Sequence, residues 1–263
     1  MPVDVDSRLE LLRTERPQNV DSPIWPESQK RLMEQIVEEH QRRDELLRAG
    51  LTPTTTVLFS GPPGVGKTLS ARWLSSELKV PLHTLDLSAV MSSFLGRTGN
   101  NLRNVLDYAR GTECVLLLDE FDAIAKRRDD ATEIGELKRL VTVLLQEIDT
   151  WPNVGLLIAA TNHAELLDPA VWRRFDSVVH FQLPSKPDLE SFLKRLFIEH
   201  PISEEMTSAV SSAYLGMSFS DLERDAERVR REAVMGGGDV QTLLLSLVKE
   251  QATRLRPKER KAL

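Results

Sequence analysis

The chain has 263 residues, of which 41% are hydrophobic and 28% charged, and its formal net charge at pH 7 is -6. A chain of this length and composition buries a core without disulfides or metals and is not disordered, and its acidity argues against a general nucleic-acid coat. Its one cysteine, Cys114, cannot form an internal disulfide. We therefore expect a reducing compartment, the cytoplasm.

The first segment of the chain is predicted to be a flexible arm that leads into a helix. Residues 1–28 are polar and interrupted by prolines, and they lack the pattern of a signal or transit peptide. From residue 27 to 49, apolar residues recur at roughly helical spacing, and Gly50 closes the segment. The longest apolar runs of the chain are too short to cross a bilayer, so we expect no membrane segment.

Residues 29–184 are predicted to form an α/β domain in which a parallel five-stranded sheet has flanking helices. Apolar strand-like runs alternate with helical patterns there, which is typical of such a sheet. The strands are predicted at residues 57–60, 82–86, 115–119, 155–160 and 178–181, with helices at 67–79, 100–110 and 138–149.

The remainder of the chain is predicted to be a small all-helical domain over residues 185–255, beyond a boundary at 184–187. Helical patterns cover residues 188–199, 203–213, 218–235 and 239–254, and no strand pattern separates them. The basic tail 256–263 is interpreted as a solvated end, with a docking segment as the alternative.

A phosphate-binding loop is predicted between the first strand and the next helix. Its glycines let backbone N–H groups turn toward phosphates, and the start of the helix adds a partial positive charge. Lys67 should reach the terminal phosphates and the Thr68 hydroxyl should hold magnesium. The alternative is a Gly-Pro turn that happens to precede a lysine. The residues expected to bind the cofactor are Gly61, Pro62, Pro63, Gly64, Val65, Gly66, Lys67, Thr68 and Leu69.

Polar residues follow two further predicted strands. The run 115–118 leads directly into Asp119 and Glu120, and the carboxyl ends of buried parallel strands are where ligands bind. We expect Asp119 to hold magnesium, directly or through water, and Glu120 to polarise the water that attacks the γ-phosphate. Asn162 should lie at the same edge, where its amide would orient that water; the alternative is an asparagine in a strand-ending turn.

Two adjacent arginines, Arg173 and Arg174, are predicted to be arginine fingers. Their planar guanidinium groups suit the charge that develops on a transferred phosphoryl group. If a finger acts on a neighbouring subunit, the protein must assemble to work. The alternative is a surface pair that forms salt bridges.

Together these motifs resemble the AAA ATPases, and within them the katanin and spastin type and the membrane-anchored AAA proteases. Residues 61–68 are similar to the family's Walker A motif, 118–122 to its Walker B motif, Asn162 to sensor 1 and 168–176 to its second region of homology. The resemblance covers about residues 57–219. It implies a P-loop NTPase core with a helical lid, ATP and Mg2+ as cofactors, and a ring, usually of six subunits, whose central pore pulls a polypeptide.

Other segments agree with the resemblance only in part. Phe94, Leu95 and Gly96 are similar to the family's aromatic pore loop, although on pattern alone these apolar residues are equally typical of a core. Residues 126–133 occupy the place of the second pore loop, with a solvated loop as the alternative. The entry segment lacks the usual double glycine, which leaves the adenine contacts open, and the lid motif carries no arginine at the sensor 2 site.

Three functions are consistent with these residues. The first is a protein-remodelling ATPase, acting on a protein client and for a partner such as a separately encoded peptidase. The second is a nucleic-acid-associated helper ATPase, and the third is a nucleotide-gated assembly switch that regulates a partner enzyme. Phe94 favours the first, because the second predicts basic residues at the pore and the third predicts loss of Glu120, which is present.

Overall fold

Residues 12–87, 98–123 and 134–259 are described by the computed structural model. They divide into two units, one with residues 12–61 and 67–181 and the other with residues 62–66 and 182–259. The predicted pore-loop residues Phe94, Leu95 and Gly96, and the second predicted loop at 126–133, lie outside the described residues.

A six-stranded sheet runs through the first unit, and its strands are β1 (Arg13–Glu15), β2 (Thr56–Ser60), β3 (Leu82–Asp86), β4 (Val115–Asp119), β5 (Leu156–Thr161) and β6 (Ser177–His180). The order of the strands in the sheet is β1-β3-β4-β5-β2-β6. The five strands β2 to β6 pair in parallel, which confirms the predicted parallel sheet. The predicted number of five strands is wrong, because β1 adds a sixth strand that pairs antiparallel with β3. Every residue of β2 and β5 is buried, which explains their continuous apolar runs.

Helices flank this sheet, largely where the sequence predicts them. The single helix predicted over residues 27–49 is divided at Arg42, which leaves the helical conformation with φ -103° and ψ 22°. Its guanidinium there binds Glu38 at 3.0 Å and Glu45 at 2.7 Å, one on each side of the break. The helices are α1 (Glu27–Gln41), α2 (Arg43–Arg48), α3 (Lys67–Leu78), α4 (Thr98–Arg110), α5 (Ile134–Asp149) and α6 (Pro169–Trp172).

The prediction of a flexible arm over residues 1–28 is wrong for residues 12–28, the part that the structure describes. Leu12 is 1% exposed and packs in the core of the sheet. Thr14 pairs with His83 across β1 and β3, and the Glu15 carboxylate accepts hydrogen bonds from Arg72 at 2.8 and 3.1 Å. This ion pair lowers the pKa of Glu15. A three-residue strand is too short to show an alternating sequence pattern, so the sequence did not predict it.

The end of the same segment packs on α3. The Trp25 indole Nε1 donates a hydrogen bond to Ser70 Oγ at 3.0 Å. Its ring meets Trp73 edge-on, with 4.9 Å between the ring centroids. The segment before α1 is therefore fixed to the helix that starts at Lys67.

The second unit confirms the predicted all-helical part. Its boundary falls between Phe181 and Gln182, slightly before the predicted boundary at 184–187. Residues 62–66 also belong to this unit. A buried hydrogen-bond network joins three of its helices through Tyr214, Asp225 and Gln251. Among the described residues, no helix is both long enough and apolar enough for a bilayer crossing. The helices are α7 (Lys186–Leu196), α8 (Glu204–Ala213), α9 (Phe219–Val234) and α10 (Val240–Glu259).

Replacement of Leu12 tests whether the N-terminal segment belongs to the core. Because the Leu12 side chain is buried, we expect Leu12→Ala to lower the free energy of unfolding by about 2–5 kcal/mol in urea denaturation. The matched control is Arg13→Ala, whose side chain is 76% exposed and which should change stability by less than about 0.5 kcal/mol. Equal unfolding midpoints for the two variants would contradict the packing of this segment.

Candidate functional site

The carboxyl ends of three neighbouring strands bring the predicted polar residues together. In the sheet, β5 lies between β4 and β2. Lys67 begins the helix that follows β2, Glu120 follows β4, and Asn162 follows β5. Because the three strands run parallel, all of these residues lie at one edge of the sheet.

Lys67 is a buried cation with hydrogen-bond acceptors around it. Its side chain is 8% exposed, and Nζ donates to Gly61 O and to Asn162 Oδ1, each at 2.7 Å. Burial lowers the pKa of Lys67, and the negative charges of Asp119 and Glu120 oppose that shift. An ammonium held out of water in this way gains from any further anion that comes within reach.

The Asn162 amide bridges the two charged groups of the site. Its Oδ1 accepts from the Lys67 ammonium, and its Nδ2 donates to Glu120 Oε1 at 3.2 Å. Only this orientation of the amide satisfies both neighbours, because the flipped amide would put donor against donor at Lys67 and acceptor against acceptor at Glu120. The Asn162 side chain therefore contacts both charged groups, as well as following the end of β5.

Glu120 has a strained backbone. Its φ is +53°, a left-handed conformation that costs a residue with a side chain about 1–2 kcal/mol. Two hydrogen bonds hold the turn, from Glu120 N to Asp119 Oδ1 at 2.9 Å and from Phe121 N to Ala160 O at 2.8 Å. Because of this turn, two consecutive side chains lie in different surroundings. Phe121 is buried in the core, while the Glu120 carboxylate reaches Asn162.

The loop glycines are required by close packing as well as by the turn. At Gly61, where φ is +149°, an added Cβ would lie 2.2 Å from Phe181 O. Within the second unit, an added Cβ at Gly64 would lie 2.6 Å from Ser218 Oγ, and Gly64 O accepts a hydrogen bond from Ser220 N at 3.2 Å. A larger residue at Gly61 would have to displace the backbone of Phe181, and one at Gly64 would have to displace the Ser218 and Ser220 side chains.

The other predicted loop residues differ in exposure. Val65 is buried, whereas Pro63 and Leu69 are exposed. Pro62, Gly66 and Thr68 are partly buried.

Two oxygen donors at this edge match the ligand preference of magnesium. Thr68 carries a hydroxyl and Asp119 a carboxylate, and Mg2+ takes oxygen ligands, with one or two carboxylates completed by water and phosphate. Among the described residues, no group of three or more His, Cys, Asp and Glu side chains is arranged to hold a metal by itself. Thr68 and Asp119 would supply two oxygen ligands of such an ion, and water and phosphate would supply the others.

The segment that carries the two arginines is fixed at both ends. The Asp168 carboxylate caps α6 by accepting from Ala170 N at 2.8 Å. At the other end, Asp176 Oδ2 accepts from Thr55 N at 2.8 Å and from Thr56 N at 3.0 Å, where β2 begins. The backbone that presents the arginines is therefore tied to the sheet.

The two arginines have different surroundings. Arg174 forms an ion pair with Asp149, the last residue of α5, so the salt-bridge interpretation applies to it. Arg173 is exposed and makes no ion pair with any residue that the structure describes. Within the described ranges no hydrogen bond or ion pair joins either arginine to Lys67 or Glu120, so these interactions do not bring the arginines into the cluster.

Asp122 and Thr161 are residues of this edge that sequence reasoning missed. Both are buried, and the Asp122 carboxylate accepts a hydrogen bond from the Thr161 hydroxyl at 2.9 Å. The one sequence signal for Asp122 is its position as the last residue of the acidic stretch 118–122.

Known proteins are similar to this chain in sequence and in structure. The family described as ATPase family associated with various cellular activities (AAA) matches residues 57–183. The chain is 41% identical over 212 residues to the Uncharacterized AAA family ATPase y4kL of Sinorhizobium fredii, covering 81% of this chain and 64% of that protein. It is 31% identical over 198 residues to the ATP-dependent zinc metalloprotease FtsH 3 of Sphaerobacter thermophilus, covering 73% and 40%. The chain thus spans less than two thirds of the length of either relative.

Two solved structures align with most of this chain. A crystal structure of the FIGL-1 AAA domain aligns with a TM-score of 0.74 at 21% identity, covering 96% of this chain and 92% of that one. A crystal structure of the FIGL-1 AAA domain in complex with ADP aligns with a TM-score of 0.69 at 26% identity, covering 86% and 76%.

Loss of the Lys67 ammonium should weaken nucleotide binding without unfolding the protein. We expect Lys67→Ala to lose about 1.5–3 kcal/mol of ATP affinity, the range for hydrogen bonds to a charged group, because the variant lacks the buried cation. Isothermal titration calorimetry measures this, with Lys30→Ala on α1 as the matched control that should bind like wild type. Wild-type ATP affinity in a folded Lys67→Ala protein would refute the phosphate-loop assignment.

Proposed function

The chain belongs to the AAA family of ATPases through its α/β domain, and we propose that it hydrolyses MgATP, as a ring of its own copies, to remodel a protein client. The observation that carries the ATPase proposal is the hydrogen-bonded series Lys67, Asn162 and Glu120 at the carboxyl edge of the sheet. One relative is named ATP-dependent, and one similar structure contains ADP. We place this activity in the cytoplasm.

Lys67 and the loop before it are proposed to bind the phosphates. The ammonium compensates phosphate charge, and the backbone N–H groups at the start of α3 add donors and the positive end of the helix dipole. An ammonium carries three N–H donors, so Lys67 can bind a phosphate oxygen while it still donates to Asn162 Oδ1. Nucleotide binding would therefore leave the Asn162 amide between Lys67 and Glu120.

Glu120 is proposed to act on the attacking water. Its carboxylate accepts the water proton, and Asn162 holds that carboxylate in place through the hydrogen bond from Nδ2. Thr68 and Asp119 are the residues that would hold Mg2+, which neutralises phosphate charge when it is bound. The strained turn at Glu120 supports this role, since strained backbone clusters at active sites.

Arg173 is proposed to be the finger supplied to a neighbouring copy. It is exposed and unpaired among the described residues, and the segment that presents it is held by Asp168 and Asp176. Arg174 is engaged by Asp149 of its own chain, so it has to release that carboxylate before it reaches another subunit. These surroundings support a site completed by assembly, with Arg173 as the first group to reach across.

Turnover should therefore depend on assembly and on Arg173. We expect Arg173→Ala to lower kcat by about a thousandfold, and dilution to lower the specific activity of the wild type. A mixture of Arg173→Ala with Glu120→Gln should recover activity, because some junctions then pair an intact Glu120 with an intact Arg173. The matched control is Arg48→Ala, an exposed arginine at the end of α2. Turnover that is independent of protein concentration, from a monomer, would exclude the ring.

The client is proposed to be an unfolded polypeptide that contacts the loop of Phe94, Leu95 and Gly96. An aromatic side chain beside a small residue grips a chain without reading its sequence, which suits remodelling. A partner such as a separately encoded peptidase would then process what the ring delivers. A nucleic-acid helper would need a basic loop, and Arg97 is the one basic residue close to Phe94 in the sequence.

Phe94 separates the motor from an assembly switch. We expect Phe94→Ala to abolish the stimulation of ATP turnover by fluorescent casein, used as an unfolded probe, while ATP affinity and melting temperature stay at wild-type values. A core phenylalanine would instead cost about 3–5 kcal/mol of stability when truncated to alanine. A large fall in melting temperature would therefore remove the pore assignment, and stimulation by single-stranded DNA in place of casein would favour the nucleic-acid alternative.

A further inference from the structure

A buried carboxylate behind the site contacts the backbone that carries Asn162. The Asp122 side chain is 0% exposed, and its Oδ1 accepts hydrogen bonds from Thr161 Oγ1 at 2.9 Å and from Asn162 N at 3.3 Å. The Thr161 hydroxyl in turn accepts from His163 N at 3.0 Å. Three consecutive residues are thus held by one carboxylate and one hydroxyl.

The same three residues carry the amide at the centre of the site. Asn162 follows the last residue of β5, where the strand ladder no longer fixes the backbone. Its side chain has to meet Lys67 at 2.7 Å and Glu120 at 3.2 Å at once. A small rotation of the backbone at Asn162 would break one of these contacts, so whatever holds that backbone controls both.

The three carboxylates at and just after the end of β4 therefore differ in what they contact. Asp119 and Glu120 are partly exposed at the edge of the sheet, as groups that meet a ligand have to be. Asp122 is fully buried and its hydrogen bonds run to Thr161 and Asn162. A carboxylate is an acceptor for both donors at once, whereas an apolar residue of similar size would leave a buried N–H and O–H without partners.

We propose that Asp122, together with Thr161, is a positioning residue that sets the Asn162 amide between Lys67 and Glu120. This inference rests on the proposed ATPase function, because the amide matters only if Glu120 acts on water. Asp122 itself touches no reacting atom. Its negative charge also opposes the loss of the proton from Lys67, which links the same carboxylate to the phosphate-binding cation.

The test removes the Thr161 hydroxyl without changing the size of the side chain. We expect Thr161→Val to lower kcat for MgATP by about 10- to 100-fold, because a small misplacement of a catalytic group has effects of that order. The ATP dissociation constant should stay within about twofold of wild type, since Lys67 and the loop are intact. Thr161→Ser keeps the hydroxyl and should keep wild-type kcat, and Asp122→Asn gives a second measurement at the other partner.

A double-mutant cycle with Asn162→Ala separates positioning from general damage. If Asp122 and Thr161 act through Asn162, then Thr161→Val should have little further effect on kcat in the Asn162→Ala background. Losses that multiply, or a Thr161→Val protein with wild-type kcat beside an impaired Asn162→Ala protein, would overturn the positioning role and leave the ATPase proposal standing. Absence of ATP turnover in the wild-type protein would overturn both.

Discussion

The hydrogen bonds of the Asn162 amide are the interaction on which the site depends. Lys67 and Glu120 carry opposite charges, and with no spacer a buried lysine and a carboxylate at one sheet edge would attract each other into a direct ion pair. The amide accepts from one and donates to the other, which keeps both charged groups available to a ligand. The order of the strands makes this possible, because β5, which leads to Asn162, lies between β4 and β2.

Charge balance then limits what can occupy the site. Lys67 is buried. Desolvation lowers its pKa, and the carboxylates around it oppose that shift. A phosphate brings negative charge to the lysine but also to Glu120, so it needs further positive charge to be bound well. The helix start at Lys67, a magnesium ion at Thr68 and Asp119, and an arginine from outside the cluster are the sources that this chain offers in the proposed function.

The sequence predicted the features that depend on local pattern. The five parallel strands, the helical unit and the proximity of Lys67 to Asn162 follow from apolar runs and from the rule that parallel strands end at one edge. Features that depend on distant partners were not predicted. β1 is too short for a pattern, and the difference between Arg173 and Arg174 depends on Asp149, which is 25 residues away. The role inferred for Asp122 likewise needs Thr161, which is 39 residues away.

Strand β2 links the two functions proposed for the first unit. Its carboxyl end leads through Ser60 into the phosphate loop, and its amino end is held by Asp176, which closes the arginine segment. β2 also pairs with β6, the strand that follows Asp176, and every residue of β2 is buried. A buried strand with parallel partners on both sides deforms little, so within the first unit the backbone at Gly61 and the backbone at Asp176 keep a fixed separation. In an assembly of the proposed kind, a displacement of the backbone at Gly61 in one copy would therefore also move the segment that presents Arg173 to the neighbouring copy.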